Sequence, residues 1–529
     1  MKAVYFKNWI ADWHWGVRIG LFLILLSGLV QLGMFVMTQN YMVSYLAAQP
    51  EDISFAVMST YAGIITVIPL QFRFFKYFET RSYLLVSMML AILLNYFCLH
   101  CEDIALFLVI RFFQGILAGN VIVFMLLLIF SRLHSERAKT IAPAVFYGTL
   151  LSNTILVGLL AGVVVDSTDW KMVYNYLILF QLLLLVIILL MLRRSSAYKR
   201  YPLYQIDWAG MVLFAGTALT LAYTIIYGSK YYWFDDVRIC YSTAAFVIGT
   251  SLFLYRQYVL KRPVIHLSVF KSRNFLIGIC LLAIYYGSKD SINLIYNYAG
   301  GVLKCSTPQV MELALCNLAG MVGVLVFAIR LLLAKKVSIR FLLVIGFGLI
   351  SMFNLWMSFL LTPDLSFFDL LLPVFIQGAA SGLLFVPIMI YVLSSAGGHT
   401  GISGLVIAAC TRFTTTLNSF AGFYNLQLYF NQKFKEGFLS YLNPENQNMT
   451  ERLNYYKGIY ASKGFSSDQA SALASSNISR QLTQQTQLLT NQALFMIFGI
   501  LLFVVAILIL LLPVIEKTFV HWKRRWSLV

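Results

Sequence analysis

The chain has 529 residues, of which 60% are hydrophobic and 11% charged, with a mean hydropathy of +0.79. Several soluble domains could not be solvated with so little polar surface, so the chain belongs in lipid. A net charge of +18 would suit nucleic acid, but the placement of the basic residues along the chain assigns it to membrane topology instead.

Lipid admits only helices and closed barrels, because every backbone N–H and C=O there must be paired internally. The apolar runs are far longer than the ~10 residues of a barrel strand. Fourteen runs predict helical spans near residues 17–38, 53–72, 82–99, 104–130, 140–165, 172–192, 207–228, 238–256, 274–301, 309–333, 338–361, 366–395, 401–424 and 493–515. The first lacks a small-residue cleavage site and is too long for a signal-peptide core, so it reads as a retained span. With the N-terminus inside, 26 of the 39 Lys and Arg residues fall on one face, and every short loop obeys the positive-inside rule. Both termini are therefore expected in the cytoplasm, with the segment Trp522–Trp526 as an interfacial anchor.

Cys98 and Cys101 flank His100 in a C-x-x-C pair, too few ligands for a structural metal site. The seven cysteines, an odd number, give no disulfide framework. No H-E-x-x-H, G-x-S-x-G or P-loop is present, so neither a catalytic site nor a metal is expected. The fourth span carries Gln114-Gly115 and Gly119, and the twelfth Gln377-Gly378 and Gly382, so both read Q-G-x-x-x-G. The two occupy the fourth position of each half if spans one to six and nine to fourteen are duplicated units. A chance small-residue packing face is the other reading. The division expected is a bundle over 1–200, an inserted pair over 201–262, and a second bundle over 263–529. The polar segment 431–492 lies on the outer face as a cap or docking element, with amphipathic helix around Gln481–Gln492.

An ionisable residue within a span costs ~2.5–3.5 kcal/mol on insertion scales, so it marks a cavity or a partner. Arg111 lies inside span four, whereas its counterpart in the repeat is the apolar Val374. If residues 274–301 form one helix, Lys289 and Asp290 sit near its middle, Lys289 on a polar stripe from Tyr285 to Asn293 and Asn297, with Tyr286 and Asp290 on its flank. Adjacent helical residues point about 100° apart, so the two are not expected to pair, and Arg111 and Glu312 become candidate partners for them. A break in span nine would place them at an interface instead. Glu312 near the outer end of span ten and Arg412 in span thirteen complete the set.

Residues 111–119 resemble the motif that drug:proton antiporters of the major facilitator superfamily carry in the fourth span. Asp169-Trp170-Lys171, Asp207-Trp208-Ala209-Gly210 and Val269–Phe275 resemble, in order, the motifs that open spans six, seven and nine in the fourteen-span branch. The resemblance implies an all-α polytopic fold of two six-helix bundles plus two inserted helices. It further implies alternating access, and proton-driven export of an amphipathic or hydrophobic compound with no cofactor beyond the proton gradient. It gives Arg111 a role in proton coupling, and Gln114, Lys289, Asp290, Asn293, Glu312 and Arg412 are the candidate coupling and cavity residues. Gly115, Gly119, Gly158, Gly162, Gly378 and Gly382 are the conformational or packing glycines. A cytoplasmic (inner) membrane location is implied, with a periplasmic adaptor and an outer-membrane channel as partners. Three departures stand out: Lys76 replaces the Asp of the loop after span two, span one offers only Gln31, Gln39 and Asn40, and span five lacks a Gly-Pro pair. They keep two other readings open, a narrow-substrate transporter or importer and a receptor that moves nothing.

Overall fold

The computed structural model describes residues 5–132, 148–149, 171–194, 203–334, 337–397, 400–443 and 446–511. Within them the regular structure is helical, apart from one antiparallel bridge between Phe6 and Leu192 that ties the N-terminal segment to the end of a helix. We name the helices α1 (His14–Tyr45), α2 (Pro50–Tyr77), α3 (Thr80–His100), α4 (Ile104–Arg132), α5 (Met172–Met191), α6 (Trp208–Tyr227) and α7 (Val237–Val259). There follow α8 (Arg273–Lys289), α9 (Ile292–Gly301), α10 (Thr307–Leu333), α11 (Ile339–Leu360), α12 (Phe367–Ser395), α13 (Gly401–Leu417), α14 (Phe423–Leu439), α15 (Gln447–Ser462) and α16 (Ser467–Leu511). Eleven spans among the described residues are long and apolar enough to cross a membrane, and two shorter apolar helices, His14–Val30 and Gly401–Leu417, join them. The predicted span at 140–165 lies outside the described residues except for Gly148 and Thr149.

Helix starts follow local chemistry. Asp52 accepts the Gln49 N–H at 2.9 Å at the head of α2, and Gln309 accepts the Ser306 N–H at 2.8 Å at the head of α10, each beside a proline in the first turn. Asp207 caps α6 by accepting the Gly210 N–H at 2.9 Å. A Cβ on Gly210 would lie 2.1 Å from the same carboxylate, which explains why aspartate and glycine occur together in the D-x-x-G sequence.

The internal repeat is built into the packing. A Cβ at Gly115 of α4 would stand 2.0 Å from the Thr60 carbonyl oxygen of α2; a Cβ at Gly378 of α12 would stand 2.0 Å from that of Asn317 on α10. Gly63 meets the Phe112 carbonyl as Gly320 meets that of Phe375, and Gly119 and Gly382 close the same two crossings. The pairs α2–α4 and α10–α12 therefore cross in the same register, backbone against backbone. Small residues permit this approach in lipid, where packing rather than water drives association. The pairs α3–α5 and α11–α16 also correspond in the two halves.

Helices α6 and α7 pack on each other, and α6 lies along α2. The largest difference from expectation is at the polar segment 431–492. The helix of span thirteen does not stop near 424 but passes through a π turn, Asn418–Gly422, into α14, and Gln481–Gln492 belongs to the single helix α16. At 1.5 Å per residue α16 is ~68 Å long, about twice the ~30 Å hydrocarbon core, so much of it stands outside lipid. There α14 and α15 pack against it, with Gln481 Nε2 donating to the Tyr456 hydroxyl at 2.7 Å.

Candidate transport site

Span nine is interrupted. α8 ends at Lys289, Asp290 and Ser291 form a turn, and α9 begins at Ile292, so the polar stripe is not continuous. Tyr285 is buried, Lys289 half-buried, and Asn293 and Asn297 exposed. The Lys289 carbonyl at the break accepts from Gln377 Nε2 at 2.8 Å, and Asn317 Nδ2 donates to both Gln377 Oε1 (2.6 Å) and the Val374 carbonyl (2.9 Å). The glutamine of the second Q-G-x-x-x-G is thus spent on a broken helix rather than on a charged group.

The break also corrects the expectation that Lys289 and Asp290 cannot pair. With the backbone out of helical geometry, Lys289 Nζ lies 3.3 Å from Asp290 Oδ1. The other carboxylate oxygen, Oδ2, accepts from Ser419 Oγ at 2.6 Å. Lys289 and Ser419, not Arg111 and Glu312, are the partners found, and Glu312 is exposed on α10. Arg412 bridges the halves: its NH2 donates to the Tyr61 hydroxyl of α2 at 3.3 Å, and its guanidinium lies over the rings of Tyr61 (5.7 Å) and Tyr286 of α8 (5.4 Å). Met58 and Ala62 of α2 and Phe413 and Leu417 of α13 share one apolar cluster around this bridge. Charge, hydroxyl and aromatic faces therefore converge between α2, α8 and α13.

Arg111 occupies a different place. It is 1% exposed inside the first half, and its NH1 donates to Gln114 Oε1 at 2.9 Å. Gln114 Nε2 donates in turn to Asn95 Oδ1 (2.9 Å) and Cys98 Sγ (3.2 Å), and Asn95 Nδ2 to Gln181 Oε1 (2.8 Å). The network joins α3, α4 and α5, so the two Q-G glutamines do different work in the two halves. Sequence reasoning missed Asn95, Gln181 and Ser419; the first two could have been found as amides within apolar runs. Gly158 and Gly162 lie outside the described residues, whereas Gly148 faces Leu325.

Around the connection between α2 and α3, where Lys76 stands, the side chains pack as a run of rings. Phe74, Phe78, Tyr83 and Phe124 form a chain of contacts with centroids 4.4–5.5 Å apart, extended to Trp208 of α6 at 6.4 Å. Beneath it Gln71 Nε2 donates to Asn120 Oδ1 and to the Tyr83 hydroxyl. Asp207 sits close by. Burial pushes its carboxyl up, but the Arg256 guanidinium (2.7 Å), the Gly210 N–H and the Gln257 amide outweigh that and hold it below the usual carboxylate range.

A family model described as the Major Facilitator Superfamily matches residues 20–420. The chain is similar to the multidrug export protein EmrB of Haemophilus influenzae, at 24% identity over 77% of this chain and 78% of the relative, and to that of Escherichia coli K12, at 24% over 74% of each. The fatty acid resistance protein FarB of Neisseria gonorrhoeae is 21% identical over 59% of this chain and 61% of its own. Among solved structures, a POT family transporter in complex with 5-aminolevulinic acid superposes with a TM-score of 0.58 at 13% identity, covering 93% of this chain and 96% of that one. The proton:xylose symporter XylE gives 0.50 at 15% identity, over 77% and 88%. These structural likenesses concern the fold alone, and with the family model they make the chain a member of the Major Facilitator Superfamily and a multi-pass membrane transporter.

Proposed function

We propose that the chain exports amphipathic or hydrophobic compounds against an inward proton gradient, across an inner membrane with both termini in the cytoplasm. The observation that carries this reading is Asp290, a carboxylate set at a broken helix between a lysine and a serine hydroxyl, since secondary transporters commonly place cargo and coupling ions at discontinuous helices. Asp290 takes the place of the missing first-span aspartate as proton carrier. Arg412 with Tyr61 and Tyr286 joins the two halves through charge and ring faces, groups suited to a flat or amphipathic ligand. The relatives named as multidrug exporters support the direction and the breadth of cargo. The α14–α16 assembly on the outer face is the contact for a periplasmic adaptor.

The test is dye accumulation in cells stripped of their own efflux pumps, with and without a protonophore. Wild type lowers accumulation, the protonophore abolishes the effect, and Asp290→Asn behaves as if the protonophore were present. Protonophore-insensitive export, or full activity of the Asn variant, would defeat the reading. Lys76 in place of the loop aspartate and the missing first-span aspartate favour a second reading, a narrow-substrate transporter of the same family, which a metabolite screen would reveal when no dye is moved.

A further inference from the structure

Two spans lose regular helical bonding at the same level. Asp290 closes α8, and Ser419 lies in the π turn that follows α13. At 1.5 Å per residue each stands about 26 Å from the start of its helix. Turns of this kind inside α-helices occur often at functional sites. One side-chain bond joins these two, Ser419 Oγ to Asp290 Oδ2 at 2.6 Å, and the same hydroxyl stands 3.2 Å from the Thr415 carbonyl. A serine hydroxyl carries a single proton, so it serves one of these acceptors at a time.

We infer that Ser419 is a positioning residue that reports the charge state of Asp290 to span thirteen. With Asp290 charged, the hydroxyl donates to the carboxylate, a charge-assisted bond that ties the π turn to the break in span nine. With Asp290 protonated, that acceptor weakens and the hydroxyl turns to Thr415, the ordinary back-bond of a helical serine, which releases the π turn from the break in span nine. Span thirteen also carries Arg412, stacked on Tyr61 of the first half, so the release reaches the contact between halves. The groups bonded to Asp290 are Lys289 and Ser419; around them, Tyr286 of α8 lies under Arg412 of α13, with Tyr61 of α2 beyond, the neutral Gln377 of α12 bonds the Lys289 carbonyl, and Glu312 of α10 is exposed. The inference rests on Asp290 as the proton site.

The experiment is hydrogen exchange across residues 411–424 of the purified full chain, corrected for intrinsic rates, at acidic and at alkaline pH. Wild type and Ser419→Thr are expected to exchange several-fold faster in this segment at acidic pH. Ser419→Ala is expected to be fast at both, with an unchanged Tm, and Asp290→Asn to give one rate at both. Exchange in wild type that ignores pH would overturn the inference and leave the proton site to the transport assay, whereas Asp290→Asn that still follows pH would remove the proton site and the inference with it. Asp290→Asn that loses the pH response while Ser419→Ala keeps it would leave the proton site standing and overturn the role of Ser419.

Discussion

A carboxylate beside a guanidinium gains more than contact when the same carboxylate also caps a helix. Asp207 accepts the Gly210 N–H, Arg256 Nε at 2.8 Å and, more distantly, Gln257 Nε2 at 3.4 Å. These bonds outweigh its burial and depress its pKa, so their stabilisation is fully present above the ordinary carboxylate value of 3.8 and fades as pH falls through the lower, folded one. Asp207→Asn keeps much of the cap and loses the charge. Its Tm deficit against wild type should therefore be largest near neutral pH and shrink in strong acid, as melting in detergent would show; a deficit independent of pH would mean that the charge contributes nothing. Asp207→Ala should cost ~1 kcal/mol more, because the cap goes as well. Lys289 and Asp290 make the complementary point, since adjacent residues pair there only because the helix stops between them and the next turn.

Among the elements, the two glycine crossings permit a direct comparison. Alanine at Gly115 or Gly378 would put a Cβ 2.0 Å from a carbonyl oxygen of the facing helix, and the helices must separate to admit it. Overpacking of this kind costs ~1–3 kcal/mol, and the two substitutions should cost alike because their crossings share one register. Gly287→Ala, with open space around the added carbon, is the control and should leave the Tm unchanged or slightly raised. A cost at Gly115 without one at Gly378 would break the equivalence of the halves. These crossings were legible in the sequence because close approach demands small residues at fixed spacing, which Gly115, Gly119, Gly378 and Gly382 satisfy. The break in span nine was not. Residues 284–296 contain no proline, and the freed Lys289 carbonyl is satisfied by Gln377, 88 positions along the chain. Ser419 was equally hidden, because a serine in an apolar helix has many ordinary uses, and only its placement opposite Asp290 gives this one meaning.

At the scale of the whole molecule, the hydrophobic and basic patterning dictates the bundle, whereas the outer segment obeys different physics. α15 has no buried residue; it packs on α16 while the apolar half of α16 packs on α11 among the spans. Its contacts are therefore dispensable for the membrane fold, and a cap of 16 residues with no core of its own is better suited to being read by another protein than to stabilising this one. Replacing residues 443–466 by a short flexible linker joins the ends of α14 and α16 without touching the spans. If the assembly engages an adaptor, the shortened chain should keep wild-type transport in proteoliposomes, where no adaptor is present, and lose resistance to exported compounds in cells. Loss in both settings would make α15 part of the transport cycle itself, and loss in neither would leave the adaptor to dock elsewhere.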